Sequence, residues 1–327
     1  MQRAWQIRLS CMACVLLAVE APLAIAAESA FPLRPIRLVV PFVAGGGTDL
    51  LARFLAPRVG EILGQQMVVD NRAGASSVIG TQIVAKSPPD GYTLLLADTA
   101  FAINASLVGK LPYDSERDFV FVTILATSPS LLVANPRLKV RSIEELIALA
   151  KKNPGKITAA NAGTGSANHL GMEMLMLAAK IELLHVPFKG NGEAITSVIA
   201  GHTDLLSTSP VAVMQHIKAG TLIPLAISGK QPHAALPGVP TYDSAGLATA
   251  RPESFRFIAA PRGIPGAVEK KLASAFGAAM SAPDMQSRLE ANGFDAESST
   301  GAEARAYIVR AIKLYADAVK RSGFKGD

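Results

Sequence analysis

The first third of the chain alternates between two patterns of apolar residues. Short runs rich in branched apolar residues, the first of them at 36–40, alternate with longer stretches in which apolar residues recur at helical spacing. Turn-forming residues such as Pro89-Asp90-Gly91 separate these stretches. The pattern predicts strands at 36–40, 67–69 and 93–97 and helices at 48–64 and 78–86. Such a β-α-β-α-β order is typical of a parallel sheet covered by helices on both faces.

A second unit of the same kind is predicted after an irregular stretch around 111–114. A strand at 131–134 opens it, and Ser142 with Glu145 forms a capping box before the next helix. The alternation continues through strands at 157–160, 183–186, 204–206 and 222–227 and helices at 146–152, 166–180, 193–200 and 211–218. A strand at 255–260 and helices at 265–280, 283–291 and 302–321 complete the chain, and these helices suit the outside of the first unit. The sequence thus predicts an α/β fold with two α/β domains.

The first 26 residues have the pattern of a secretory signal peptide. Arg3 and Arg8 form a basic start, a mostly apolar run follows, and an Ala-Ile-Ala sequence at 24–26 offers small residues for cleavage. Both cysteines, Cys11 and Cys14, lie inside this segment. The mature chain therefore has no disulfide, no thiol nucleophile and no thiolate ligand for a metal. We expect a secreted protein whose stability comes from packing.

The charge pattern narrows the range of partners. The formal net charge is +6, a mild excess that weakly favours anionic ligands. The basic residues are scattered singly, and no cluster of lysine and arginine is interleaved with aromatic residues. A nucleic-acid partner is therefore not expected.

Two glycine-rich loops, one in each predicted unit, are the main candidates for a binding site. They occupy 41–49 and 161–166, and each lies between a predicted strand and a predicted helix. In an open α/β sheet this position faces the crevice where ligands bind, and glycine lets a ligand approach backbone N–H groups. The N-terminus of the following helix favours a carboxylate. Two such loops facing across a cleft suit a ligand with two anionic ends, although either loop alone is equally consistent with a tight turn.

Two enzymatic interpretations fit the sequence less well. Gly45 and Gly47 match the first two glycines of a dinucleotide-binding GxGxxG loop, but Leu50 stands at the third. Ser166 with His169 is the nearby pair that a hydrolase would need, but the GxSxG sequence of a nucleophile turn is missing. Ser166 is better placed as a helix cap. We therefore predict no catalytic residue and no cofactor.

The histidines give no metal-binding pattern. His169 and Glu173 have the i, i+4 spacing that a metal on one helix face uses, but two ligands do not make a site. The other histidines fall on different predicted elements. We predict no metal.

Five blocks of sequence, in order, resemble the Bug/TctC solute-binding receptors of tripartite tricarboxylate transporters. They are PLRPIR at 32–37, PF with GGGTD within 41–49, VDNRAG at 69–74, PDGYTLL at 89–95 and LPYD at 111–114. HVPFKG at 185–190, LPGVPT at 236–241 and AP at 260–261 extend the similarity. It covers essentially the whole chain after the predicted signal peptide.

The resemblance implies a type II periplasmic-binding-protein-like fold, in which two α/β domains enclose an interdomain ligand cleft. It assigns residues 27–127 and 256–327 to the first domain and residues 128–255 to the second. The implied function is that of a periplasmic, non-catalytic receptor, and nothing in the sequence demands more than a monomer. Such a receptor captures a small mono-, di- or tricarboxylate and delivers it to the membrane components of a tripartite tricarboxylate transporter. A carboxylate sensor that signals through a membrane sensor kinase is the alternative that the sequence leaves open.

The family pattern also implies ligand-binding residues by position. In the first domain these are Phe42, Val43, Ala44, Gly45, Gly46, Gly47, Thr48 and Asp49, with Thr99 and Ala100 after the third strand. In the second domain they are Ala162, Gly163, Thr164, Gly165, Ser166, His169 and Thr208. The chain departs from the pattern at Val43-Ala44, Phe188 and Phe255, where a proline pair, tyrosine and tryptophan are common. Thr208 ends a stretch that often ends in aspartate, which favours a ligand without an ammonium group.

Overall fold

The computed structural model describes residues 31–163, 166–228, 232–233, 235–250 and 253–322, and its strands form two sheets. The predicted signal peptide, together with Thr164 and Gly165, lies outside the described residues. The first sheet contains β1 (Ile36–Val40), β2 (Met67–Asn71), β3 (Thr93–Asp98), β4 (Phe119–Pro129), β10 (Glu253–Pro261) and β11 (Asp295–Ala296). The second sheet contains β5 (Leu131–Ala134), β6 (Thr158–Asn161), β7 (Leu184–Pro187), β8 (Leu205–Thr208) and β9 (Ile223–Ile227).

Helices cover both faces of each sheet. Around the first sheet lie α1 (Gly47–Leu63), α2 (Val78–Ala85), α3 (Ala100–Leu107), α8 (Gly266–Met280), α9 (Pro283–Ala291) and α10 (Gly301–Ser322). Around the second sheet lie α4 (Ile143–Lys152), α5 (Ala167–Ala179), α6 (Asn191–Ala200) and α7 (Pro210–Lys218). Within the described parts of the chain, no helix is both long enough and apolar enough to span a bilayer.

Both sheets are mixed, so the prediction of parallel sheets is only partly right. β1 runs parallel to β2 and β3, as the β-α-β-α-β pattern requires, but β10 runs antiparallel to β3 and β4. In the second sheet, β6 runs parallel to β7 and β8, whereas β5 runs antiparallel to β8 and β9. The strand orders are β11-β4-β10-β3-β1-β2 and β7-β6-β8-β5-β9. Most of these antiparallel pairs join strands that are far apart in sequence, a relation that local apolar patterns do not encode.

The sequence analysis missed β4, β11 and α3. β4 is an 11-residue strand in which every residue is buried or half-buried. It therefore lacks the alternation of apolar and polar residues that marks a strand with one solvated face. Its length matters for the site, because β4 carries the chain out of the first sheet.

The chain crosses between the sheets at Ser130. β4 ends at Pro129 in the first sheet, and β5 begins at Leu131 in the second. The chain returns to the first sheet through β10. The predicted domain limits, 127/128 and 255/256, fall within β4 and β10 and stay predictions.

Successive residues of the strands are buried on opposite faces of each sheet. Leu38 packs on the side of α1 and α8, whereas its neighbour Val39 packs on the side of α3 and α10. In the second sheet, Leu132 packs with α4 and α5 and Leu131 packs with α6 and α7. Because both faces of the central strands exclude water, these strands are nearly continuous apolar runs, whereas the edge strands β2, β7 and β11 are partly exposed. These four hydrophobic layers hold the strand ends, and the loops that follow them, in place.

Gly80 lies at a close contact between α2 and the residues that follow β1 and β2. A β-carbon at this position would lie 2.7 Å from the carbonyl oxygen of Arg72 and 2.7 Å from Cβ of Pro41. We expect Gly80→Ala to lower the free energy of unfolding by about 1–3 kcal/mol, because backbone atoms must move to admit the methyl group. Chemical denaturation measures the change. In the control Gly192→Ala, a helical glycine in open space gains a methyl group, so equal losses in the two variants would contradict the steric explanation.

Candidate ligand-binding cleft

A cavity of about 390 Å³ lies where the chain passes between the two sheets. Ser128, Pro129 and Ser130 line it at the end of β4 and at the crossing point. The other described lining residues come from both sheets and the surrounding helices: Gly47, Ala162, Ala167, Asn168, Asn191, Ser207, Thr208, Ser209, Ser254, Arg256, Asn292, Gly293, Phe294 and Tyr315. The volume suits a small molecule.

The first glycine-rich loop reaches the cavity through the start of α1. Gly47 is the first residue of this helix and lines the cavity, and the N-cap residue Gly46 has no side chain that could cap the helix. Gly45 has a φ of +89°, a left-handed conformation that favours glycine. Phe42 is half-buried against the core, and residues 43–47 are exposed. The positive end of the α1 dipole therefore lies at the cavity wall.

Asp49, in the first turn of α1, holds this loop in shape. Its buried carboxylate accepts hydrogen bonds from the backbone N–H of Gly45 (2.8 Å), from Nδ2 of Asn71 (2.9 Å) and from Nε of Arg53 (2.9 Å). Burial acts to raise the pKa of Asp49, but the hydrogen bonds from Arg53, Gly45 and Asn71 outweigh it and hold the pKa below its ordinary value. Asp49 therefore organises the loop with oxygens that are already engaged within the protein.

The other predicted residues of the first domain also make contacts within the protein. Thr48 is buried and donates from Oγ1 to a carboxylate oxygen of Asp98 at 3.2 Å. The backbone N–H of Ala100 donates to the other oxygen of Asp98 at 2.8 Å. Thr99 is buried and accepts at Oγ1 from the backbone N–H of Phe255 at 3.0 Å. These contacts tie α1, β3 and β10 together beside the cavity.

The second glycine-rich loop reaches the cavity at Ala162. Gly163 has a φ of +111°, and its N–H donates to Oδ1 of Asn161 at 3.1 Å. Ser166 is the N-cap of α5, because its Oγ accepts a long hydrogen bond of 3.4 Å from the backbone N–H of His169. The predicted capping role of Ser166 is therefore confirmed.

Uncharged amides and hydroxyls form the second-domain wall of the cavity. Nδ2 of Asn191 donates to Oγ1 of Thr208 at 2.8 Å, and Nδ2 of Asn168 donates to Oδ1 of Asn191 at 3.2 Å. Ser130 and Ser207 share a hydrogen bond of 2.6 Å between their hydroxyls. The sequence analysis identified only Thr208 among these residues. The others come from different elements, and no local motif joins them.

Arg256 on β10 lines the cavity and was not predicted from the sequence. Among the described lining residues it alone carries a formal charge. Its Nη1 donates to Oγ of Ser128 at 3.1 Å, and its guanidinium lies 4.7 Å from the ring centre of Phe294. Burial lowers the pKa of Arg256, an effect that the carboxylate of Asp98 opposes. The signal that marks it in the sequence is a single arginine within the otherwise apolar run Phe255–Ala260 of β10.

A buried cluster of three side chains lies on α5 and β7, apart from the residues that line the cavity. Oε1 of Glu173 is 3.0 Å from Nε2 of His185 and 3.8 Å from Nε2 of His169. Despite the 3.0 Å separation, Nε2 of His185 makes no hydrogen bond within the described residues. Burial lowers the pKa of His169 to about 4; His185 acts in the same direction and Glu173 opposes it. His169 is therefore neutral at pH 7.

The same three side chains are the described group that could hold a metal ion. One ligand atom from each of His169, Glu173 and His185 lies within 4.8 Å of the others. Two imidazoles and a carboxylate are donors that Zn²⁺ accepts. In the sequence only His169 and Glu173 lie close together. His185 comes from β7, and the fold brings it next to them. The absence of a metal stays a prediction.

The fold and the cavity together define the class of protein. Two lobes, each a sheet covered by helices, are joined by strands that cross beside a cavity, which is the architecture of a periplasmic binding protein. The model of the family described as "Tripartite tricarboxylate transporter family receptor" matches residues 51–323. The chain belongs to this TctC receptor family, and the resemblance found in its sequence is confirmed.

Several relatives share most of the chain. BugT of Bordetella pertussis is 35% identical over 297 residues, which cover 90% of this chain and 91% of BugT. A UPF0065 protein of Pseudomonas sp. strain P51 is 39% identical over 262 residues, which cover 80% of this chain and 78% of that protein. A structure of an R. palustris protein with adipate matches with a TM-score of 0.75 at 30% identity, over 91% of this chain and 100% of that one.

Proposed function

We propose that the protein captures a small organic carboxylate in the cavity between its lobes and delivers it to the membrane components of a tripartite tricarboxylate transporter. The observation that carries this proposal is the character of the cavity. Its described lining combines uncharged hydrogen-bonding groups with one cation and contains no carboxylate. Such a lining attracts an anion and repels none of its oxygens. The R. palustris relative with adipate agrees in ligand class.

The two glycine-rich loops would hold the ligand from opposite lobes. Gly47 at the start of α1 and Ala167 at the start of α5 both line the cavity, so both helix N-termini lie at its wall. Backbone N–H groups and the positive ends of the two dipoles favour carboxylate oxygens. We assign binding to the backbone of residues 42–49 and 162–166 and to Thr208. Asp49, Thr48, Thr99 and His169 would support the loops from behind.

Thr208 bears on the choice among carboxylates. Its hydroxyl accepts a hydrogen bond from Asn191, and neither side chain offers a negative charge to an ammonium group. We infer that the ligand is a simple di- or tricarboxylate and not an amino acid. Thr208 and Asn191 belong to the same cavity lining that supports carboxylate binding.

The place of action follows from the family and from the first residues of the chain. We propose that residues 1–26 are a signal peptide that directs the receptor to the periplasm, where it acts as a monomer without transforming its ligand. The described cavity lining contains serine, threonine and tyrosine hydroxyls but no histidine, aspartate or glutamate that could act on them as a general base.

Calorimetry with succinate, glutarate, adipate, citrate, aspartate and glutamate tests the proposal, together with native mass spectrometry of freshly purified protein. We expect one bound ligand per chain, dicarboxylates or citrate bound more tightly than either amino acid, and no product after prolonged incubation. Failure of every carboxylate to bind would overturn the proposed function. Formation of a product would instead assign an enzyme, and loss of turnover in Ser166→Ala would identify its nucleophile.

A further inference from the structure

Arg256 occupies an unusual place on β10, the strand that returns to the first sheet. Its neighbours Phe255 and Phe257 are buried in the core on the side of α3 and α10. Arg256 therefore points to the opposite face, toward the N-terminus of α1. A register shift between β10 and β4 falls between Arg256 and Phe257. Such irregularities re-aim side chains and are common next to binding sites.

The guanidinium of Arg256 approaches the first turn of α1. A β-carbon built on Gly47 would lie 3.8 Å from Nη2 of Arg256. A full positive charge thus lies beside the positive end of a helix dipole whose N-cap has no side-chain cap. The guanidinium and the positive end of the α1 dipole repel each other unless an anion lies between them.

Among the described residues, no carboxylate forms a direct ion pair with this charge. In the described part of the chain, no carboxylate oxygen lies within 4.0 Å of an Arg256 nitrogen, and its Nε is buried without a hydrogen-bond partner. Asp98 lies opposite Arg256 on β3, but its two oxygens accept hydrogen bonds from Thr48 and Ala100. Among the described residues, the guanidinium has one hydrogen-bond partner, the neutral hydroxyl of Ser128. A buried arginine with unused donors is costly unless an anion completes the site.

We propose that Arg256 binds one carboxylate of the ligand against the N-terminus of α1, which makes it the charged anchor of a dianionic ligand. This inference rests on the proposed function and deepens it. The planar guanidinium presents donors that match both oxygens of a carboxylate. The second carboxylate then reaches the opposite wall, where the start of α5 and the Asn168–Asn191 pair offer uncharged donors.

Calorimetry on Arg256→Gln and Arg256→Lys tests the anchor, with the tightest-binding member of the series succinate, glutarate and adipate as the probe. We expect Arg256→Gln to weaken binding about 100-fold, because an ionised partner of a desolvated carboxylate is lost. Arg256→Lys keeps the charge but loses the planar fork, so an intermediate loss is expected. The matched control is Arg262→Gln, which removes an exposed arginine just beyond β10 and should change affinity less than threefold.

The diamide of the same dicarboxylate separates charge recognition from general damage. Wild type should prefer the dicarboxylate over its diamide at least tenfold, and Arg256→Gln should lose most of this preference, because the glutamine amide pairs as well with an amide as with a carboxylate. A preference that persists unchanged in Arg256→Gln overturns the inference but leaves the proposed function intact. Failure of wild type to bind any dicarboxylate overturns both.

Thermal unfolding without ligand tests whether a loss of affinity in Arg256→Gln comes from damage to the fold. We expect the ligand-free Arg256→Gln protein to stay folded and to melt near the wild-type temperature, because the substitution removes a buried charge whose cost the facing carboxylate of Asp98 offsets only in part. Addition of the dicarboxylate should raise the melting temperature of wild type more than that of the variant. A lowered melting temperature with unchanged affinity would assign Arg256 to the structure and reject it as the anchor.

Discussion

Asp49→Asn is expected to lower the free energy of unfolding by about 3 kcal/mol and to weaken carboxylate binding at least tenfold. Asp49 is 1% exposed, and its carboxylate accepts hydrogen bonds from Gly45, Arg53 and Asn71. An amide of the same shape presents its own N–H to at least one of these donors, so that donor loses its partner, and the negative charge that attracts Arg53 is lost as well. Residues 43–46 are then no longer held against α1. Chemical denaturation and calorimetry measure the two effects.

The control for this substitution is Asp284→Asn. Asp284 forms a 3.6 Å ion pair with Arg58, and the two side chains are 74% and 44% exposed. We expect a change below about 0.5 kcal/mol, because solvent screens such a pair. Similar small effects in both variants would show that Asp49 does not organise the loop.

The pH dependence of Asp49 has a definite sign. Its folded-state pKa lies below the ordinary value, so its stabilising contribution is present above the unfolded-state pKa and is lost as the pH falls through the folded-state pKa. The difference in stability between wild type and Asp49→Asn should therefore shrink in acid. A difference that stays constant to the lowest pH at which the protein folds would contradict the ion-pair contribution.

Acidification from pH 6.5 to pH 4 is expected to destabilise the protein through His169. Its pKa falls from 6.5 to about 4 in the fold, first because of burial and then because of His185, with Glu173 opposing. The unfolded chain therefore binds a proton in this range that the folded protein does not bind. At ~1.4 kcal/mol per pH unit, the upper limit is about 3 kcal/mol, and we expect about 2 because solvent reaches part of the cluster.

Denaturation of wild type and His169→Gln between pH 4 and pH 7.5 measures this contribution. Whatever the stability of the variant at pH 7.5, it should fall less steeply than that of wild type between pH 6.5 and pH 4. His202→Gln, which removes an exposed histidine, controls for the loss of a histidine as such. Parallel pH profiles for wild type and His169→Gln would rule out His169 as the source of the acid sensitivity.

The elements with strong local signals could be predicted from the sequence. The expected helix at 283–291 matches α9, and the strand at 36–40 matches β1. Ser142 caps α4 by accepting from the N–H of Glu145, as the capping box implies. Each of these features depends on residues within one or two turns of one another, so a pattern of neighbouring residues is sufficient to specify it.

The candidate site was predicted in part. Both glycine-rich loops reach the cavity, at Gly47 and at Ala162, because a loop at the carboxyl end of a parallel strand follows from the β-α-β order. The role of Asp49 behind the loop was not predicted, since its partner Asn71 lies 22 residues away on another strand. The uncharged wall around Asn191 was missed for the same reason.

The sequence by itself determined the α/β class, the family and the position of the two loops, because these are written in local periodicity and in short blocks of residues. The tertiary structure decided the mixed sheets, the joining of His185 to His169 and the placing of Arg256 in the cavity. Arg256 and its hydrogen-bond partner Ser128 are 128 residues apart in sequence. Two strands that leave and re-enter the first sheet bring them together, and such contacts depend on the packing of the whole chain and not on any neighbouring pattern.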